Sequence, residues 1–439
     1  MKNRILALLL AALLAVSLCA APAFAEETAE TTAPPAAEVL SPAGPDGALA
    51  EGAVIVPDAM GFLSFANLER RIREKNLNVL AIQESVNALE ELAYADLEED
   101  LRKNINDTAR AMWGYTSGSI DVYVPEFGVN MEVPMEWDSY AHAQLEQVYA
   151  TLKEQFDAVR DGEMQEDNAG VIRQLKSLQD QVVMGGEMLY LTLAGLEIQE
   201  AALQRQLEGL NRTVEEMTLR HEMGQISALQ LQQVENGRAA LVSGLHTLQM
   251  NIVNLKYQLE MMVGAEMTGE LALSPVAAVT EKQLESMDLE KDLAAAKTAS
   301  YEIYAAEKTY EDAEEEYDEI WKRTRSDDLE YKNAVHNRAA AKYTYNASIQ
   351  DYELRFRKLY AQVKDYAQVL EAAETALEYE KGVYASMELK HQQGTISRNA
   401  LLDAKSTLQT AEEKVTTASN DLFSSYNTYC WAVQHGILN

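Results

Sequence analysis

Cysteine is almost absent from this chain. Of 439 residues only Cys19 and Cys430 are cysteines, and Cys19 falls inside an expected export signal. One remaining thiol makes no intramolecular disulfide and does not point to a metal site. Proline is also rare: after Pro134 only Pro275 follows. Beyond Leu18 no apolar run reaches the roughly 20 residues of a bilayer-spanning helix. Cations are few, with 37 Lys and Arg against 70 Asp and Glu and a formal charge of −33. Loss of Lys2 and Arg4 with the signal makes that charge more negative. Such a field repels nucleic acid and anionic lipid. There is no G-x-S-x-G, no phosphate-cradling glycine loop and no H-E-x-x-H. The chain does not read as an enzyme, and nothing in it calls for a cofactor or a metal.

What is present begins with the export signal at 1–25. Lys2 and Arg4 precede the apolar stretch from Ile5 to Leu18, and Ala23-Phe24-Ala25 fits a cleavage site. The mature chain is expected to start at Glu26. A lipoprotein signal around Cys19 fits less well, because Leu18 is bulky where a small residue is wanted. Residues 26–60 carry Pro34, Pro35, Pro42, Pro45 and Pro57 and read as a flexible linker. The rest is rich in Ala, Leu, Glu, Gln and Lys and nearly free of proline, which favours long helices. Pro275, in GAEMTGELALSPVAAV, separates a first repeat at 61–270 from a second at 271–439.

Apolar residues recur in alternating steps of four and three. Leu203, Leu207, Leu210, Val214 and Met217 form one such seam, and Leu241, Leu245, Leu248, Ile252 and Leu255 the next. Tyr352, Phe356, Leu359, Val363 and Tyr366 open a third, and Leu408, Ala411, Val415, Ala418 and Leu422 make the fourth. A sustained heptad pattern of this kind belongs to helices packed as coiled coils. A run such as 329–393 would be roughly 100 Å long at 1.5 Å per residue. The expected fold class is therefore all-α, built from duplicated long antiparallel helical hairpins.

Between the paired seams the chain repeats a phrase. LRHEMGQIS at 219–227 and LKHQQGTIS at 389–397 match in Leu, His, Gly, Ile and Ser at an offset of 170 positions. Gly224 and Gly394 suit the left-handed position that ends a helix. His221 and His391 suit the negative end of the helix dipole. Ser227 and Ser397 can cap the following helix, and Ser227 to Gln230 has capping-box spacing. Each phrase reads as the tight turn of a helical hairpin. The starts of the halves echo each other too, from Leu63 and from Met287, and each half closes on an apolar helix ending in glycine, at Gly264 and Gly436.

In order and duplication these features resemble the TolC family of efflux ducts. Leu63-Ser64, Asn76-Leu77-Asn78 and the Gly-x-x-Ser turns at 224–227 and 394–397 carry the resemblance, which spans about 61–439. It implies an exported duct of the cell envelope, at the outer membrane or the cell surface, assembled as a homotrimer with a hollow helical cylinder. It also implies that Gly224, Gln225, Ile226 and Ser227, with Gly394, Thr395, Ile396 and Ser397, form a tip. That tip would dock a periplasmic or extracellular adaptor protein of an inner-membrane pump. Transport would be passive, without catalysis. An extracellular coiled-coil scaffold or adhesin without a lumen is the alternative.

The pattern departs from that family at the far end, where it has four strands per protomer. Here one β-hairpin is expected at 119–133, within an insertion at 114–137, followed by a helix near 138–160 and a polar loop, DGEMQEDNAG. The second half has only a turn, KRTRSDD. Two short strands per chain make a poor bilayer-spanning barrel, which leaves membrane contact open. An exported enzyme with a site in 114–170 is a third reading, opposed by the lack of paired acid-base or nucleophile motifs. The six histidines are scattered. His221 and His391 could meet at a tip, but helix-end histidines are the commoner case. The acidic runs 311–319 and 97–100 read first as solvated faces and second as a cation-selective lining. Tyr352, Tyr366 and Tyr384 lie in the seam and read as packing residues.

Overall fold

A computed structural model describes residues 58–438 apart from Met60, 117–118, 126–127 and Met135. The chain divides into two units, Met1–Glu38 and Val39–Asn439, and every described residue belongs to the second. The expected export signal, Cys19 and nearly all of the 26–60 linker lie outside the described residues.

The first half opens on β1 (Phe62–Leu63) and α1 (Phe65–Lys75), followed by α2 (Leu77–Glu90) and α3 (Tyr94–Thr116). The hairpin β2 (Ser119–Val124) and β3 (Val129–Pro134) leads into α4 (Glu136–Arg160). Then come the 60-residue α5 (Glu163–Glu222) and α6 (Ala228–Met262). The second half runs β4 (Ala272–Leu273), α7 (Glu281–Glu285), α8 (Leu289–Ala299), α9 (Tyr301–Arg323), the 64-residue α10 (Leu329–Gln392) and α11 (Arg398–His435). The long helices pack as antiparallel pairs, α5 with α6 and α10 with α11, and α5 also packs on α11. The order across the layer is thus α6, α5, α11, α10.

Each half turns its first corner on a capping side chain. Asn76 ends α1 and caps α2, its Oδ1 accepting from the backbone N–H of Asn78 at 3.0 Å and of Val79 at 3.2 Å. Its Nδ2 donates to the carbonyl of Met262 at 3.1 Å, which ties the corner to the end of α6. Ser300 does the capping between α8 and α9. Beside it, Gly436 closes α11 at φ 68°, so near the Ser300 backbone that an added Cβ would lie 2.2 Å from its nitrogen. Only glycine fits such an approach. The echo between the halves therefore has a structural basis: a capped corner against the glycine end of the returning helix.

Two apolar clusters form the core. One holds Leu63, Leu68, Ile72, Val183, Tyr190 and Leu259 of the first half, with Phe423 and Trp431 of α11. The other holds Leu293, Tyr352, Phe356, Val363, Tyr426 and Tyr429. Helix α11 serves both, so it is the joint between the halves. A second joint is the parallel pairing of β1 with β4, Phe62 opposite Ala272 and Leu63 opposite Leu273. The Tyr190 hydroxyl donates to the Ser274 carbonyl at 2.6 Å beside it.

Some local expectations need correction. The polar stretch 161–170 is a loop only at Asp161-Gly162. Gly162 takes φ 86° and α5 starts at Glu163, with Glu163 and Glu166 in its first turn where the dipole favours them. Asp58, assigned to the linker, is held in place. Its carboxylate accepts from Ser64 Oγ at 2.7 Å and from Asn67 Nδ2 at 2.8 Å. The β-hairpin is present and pairs Ser119 with Pro134 through Val124 with Val129. The acidic residues of 311–319 are exposed and Tyr352 is buried in the core. No helix among the described residues is long and apolar enough to cross a membrane.

Candidate functional site: the paired turns

The two repeated phrases fold alike, bond for bond. Helix α5 ends with Gly224 at φ 71° and α10 with Gly394 at φ 72°. The N–H of Gly224 donates to the carbonyl of His221 at 2.9 Å, and that of Gln225 to Arg220 at 2.8 Å. In the second turn Gly394 donates to His391 at 2.8 Å and Thr395 to Lys390 at 3.0 Å. This nested pair is a Schellman motif, which needs a left-handed residue at its centre.

The next helix starts on serine both times. Ser227 Oγ accepts from Gln230 N at 3.3 Å, and Gln230 Oε1 accepts from Ser227 N at 2.9 Å, closing a capping box. Ser397 Oγ accepts from Ala400 N at 3.2 Å, with no reciprocal glutamine because Ala400 holds that position. The histidines have a role that spacing alone did not reveal. His221 Nδ1 lies 3.1 Å from the Ile226 carbonyl and His391 Nδ1 lies 3.2 Å from the Ile396 carbonyl. A carbonyl only accepts, so Nδ1 carries the hydrogen and each ring staples its turn shut. Ile226 and Ile396 are half-buried beneath, while Gly224, Gln225, Ser227, Gly394, Thr395 and Ser397 are exposed. The Thr395 hydroxyl adds a bond to the Lys390 carbonyl at 2.8 Å.

The contacts between α5 and α11 fix where the turns stand. Arg205 pairs with Glu413. Glu187 Oε2 accepts from Trp431 Nε1 at 2.5 Å and from Asn427 Nδ2 at 2.6 Å. Arg205 is 19 residues before Gly224 and Glu413 is 19 after Gly394; for Glu187 and Trp431 the separation is 37 each. The two helices are antiparallel and in register from their turns. Both turns therefore stand level at one end, about 28 Å beyond the Arg205–Glu413 pair at 1.5 Å per residue.

The base of this α5–α11 seam is polar and part-buried. Asp180 accepts from Arg73 Nη2 at 2.7 Å and lies 2.8 Å from His435 Nδ1. Burial pushes the Asp180 carboxyl up, but the hydrogen bonds and charges of His435 and Arg73 prevail and hold it below its usual range. Glu187 is different: burial dominates and pushes it up to about 7, against the two donors that favour the charged form. Cys430, buried nearby, is pushed up to about 12 by the same cause and is no reactive thiol. Among the described residues no group of three or more His, Cys, Asp and Glu is placed to hold a metal.

This is the class of protein the geometry defines: two long helical hairpins, side by side, with their turns at a common exposed end. No protein-family model matches the chain, and no curated protein matches it in sequence. Solved structures do. The outer-membrane channel OprN matches with a TM-score of 0.52 at 12% identity, covering 85% of this chain and 90% of that one. The chain has that TolC-type fold. CusC, described in connection with transmembrane channel formation, aligns at TM-score 0.47 and 11% identity over 90% of this chain and 98% of its own. The MtrE outer membrane channel of Neisseria gonorrhoeae aligns at 0.45 and 10%, over 85% and 89%. The fold assignment rests on OprN.

Proposed function

We propose that this chain is the passive duct or docking component of an efflux or secretion system in the cell envelope. It would act as a homotrimer around a lumen, without catalysis. The exposed turns, Gly224 to Ser227 and Gly394 to Ser397, would meet an adaptor protein of an inner-membrane pump. One observation carries this reading: two turns of the same construction stand level at one end of a TolC-type fold. Rigid closure of both turns by Schellman bonds and a histidine staple suits a docking surface, which is best presented pre-organised.

The far end argues against a barrel of the protein's own through a bilayer. Strands β2 and β3 have six residues each, whereas a transmembrane strand needs about 9–11. Contact with a membrane, where one is present, would then be by the tip of the α3–α4 arm. The test is light scattering and electron microscopy of the full exported chain. A closed trimer with a central hole is expected. A monomer or an open dimer would overturn the duct and favour a scaffold without a lumen.

A further inference from the structure

Helices α5, α10 and α11 leave a cavity of about 420 Å³ between them. The charged groups on its wall differ in how far they are engaged. Arg355 is committed: Nε donates to Asp351 at 2.8 Å, Nη1 to the Leu438 carbonyl at 3.0 Å and Nη2 to Glu302 at 2.7 Å. Lys358 and Asp421 are not. Both line the cavity and are exposed, and neither makes an ion pair or a hydrogen bond, with the other or with any other described residue. Gln362 and Ser424 line it with side chains equally uncommitted. Ser425, 6% exposed, adds a hydroxyl that has no partner among the described residues.

The α10–α11 hairpin sets the order of these groups. Tyr429, 35 residues after Gly394, touches Phe356 and Tyr360, which are 38 and 34 before it, so residues equidistant from Gly394 are level. Lys358 stands 36 residues before Gly394 and Asp421 stands 27 after it, a difference of nine. Nine residues span about 13 Å along the pair at 1.5 Å per residue. Gln362, Ser425 and Ser424 fall between, at 32, 31 and 30 residues from the turn. Side chains lean towards the N-terminus of their helix. On antiparallel helices Lys358 and Asp421 therefore lean apart, which accounts for the missing ion pair. The wall reads cation, neutral hydrogen-bonding groups, anion.

We propose that this cavity binds a short peptide in extended form, with its carboxylate end at Lys358 and its ammonium end at Asp421. A free peptide carries one charge of each sign at its ends and neutral amides between, the same order as the wall. At 3.3–3.6 Å per extended residue the span takes about four residues. A small anion or a small amine satisfies one wall charge and leaves the other, and a single amino acid is too short to reach both. Gln362 and the serine hydroxyls supply donors and acceptors to the peptide groups between the ends. Partial burial raises the Asp421 carboxyl above its ordinary range, a penalty that a neighbouring ammonium offsets. The site is built from one chain and does not depend on the duct reading.

The test is calorimetric titration of the full chain with tetra-alanine. Binding is expected. N-acetylation or C-amidation of the peptide should each weaken it by roughly tenfold, since each removes a charge-assisted contact. Lys358→Gln and Asp421→Asn alter exposed side chains that hold no partner, so helix content should be unchanged. In Lys358→Gln amidation should no longer weaken binding while acetylation still does. In Asp421→Asn the two effects exchange. No binding of tetra-alanine by the folded chain overturns the site. Capping effects that survive in both variants place the peptide elsewhere and overturn it too. The opposite pairing of cap and variant overturns the assigned direction. Acetate or ethylamine binding as tightly as tetra-alanine overturns the peptide in favour of a single-charge ligand.

Discussion

At the scale of single residues, two glycines with nearly the same backbone angle differ in what surrounds them. Gly224 at φ 71° has open space where a Cβ would go, whereas at Gly436, φ 68°, the Cβ would overlap the Ser300 backbone. Gly224→Ala should therefore cost about 1–2 kcal/mol from the left-handed angle alone. Gly436→Ala should cost more, about 3–5 kcal/mol, because α8 and α9 must also shift. Urea unfolding of both variants checks the order, and equal losses would contradict it. Glu187 offers a pH test. Its folded value near 7 lies above its unfolded value of 4.5. Between those values the folded state keeps a proton that the unfolded state releases, so stability is full below pH 4.5 and falls as pH rises towards 7. The full effect is about 3 kcal/mol at 1.36 per unit. Glu187→Gln keeps an acceptor for Asn427 and Trp431 and removes the ionisation. The variant should lose this slope and be the more stable protein at pH 8. Parallel stability–pH curves for the two proteins would refute the assignment.

At the scale of elements, what the sequence reveals depends on how local the cause is. The hairpin turns were legible because glycine, serine and histidine act within nine residues. The long helices were legible because a heptad seam repeats many times. The β1–β4 pairing was not, since two-residue strands leave no alternation to read. The break between α2 and α3 was hidden too: Glu91, Leu92 and Ala93 include neither glycine nor proline, so no helix breaker marks it. The Glu187 node was hidden because its partners lie 240 and 244 positions away. The arm formed by α3, the β-hairpin and α4 touches α5 at its base, where Asn168 Nδ2 donates to the Tyr94 hydroxyl at 2.8 Å, but lies outside the two core clusters. Neither core cluster contains a residue between 91 and 162, and the second half does without an arm by joining α9 to α10 through 324–328. Replacing 100–158 with the sequence TRSDD should leave the cooperative unfolding of the remaining helices intact. Circular dichroism during thermal unfolding decides this; a broad, non-cooperative melt would show that the arm supports the core.

At the scale of the whole molecule, charge and assembly oppose each other. Copies that each carry a formal −33 repel, and a ring brings several together. Val253 and Met261 of α6 and Leu354 of α10 are apolar and exposed on the outer helices of the layer. Association through such faces should rest on apolar burial, with electrostatics acting against it. Salt then strengthens assembly, because the Debye length falls from about 30 Å at 0.01 M to about 8 Å at 0.15 M and screens the repulsion between copies. An interface held by ion pairs behaves in the opposite way, since the same screening weakens it. Sedimentation of the full chain at 0.01 M and 0.3 M sodium chloride separates the two cases. A larger oligomeric fraction at the higher salt is expected. Dissociation on adding salt would mean that charged faces, and not the outer sides of α6 and α10, hold the copies together.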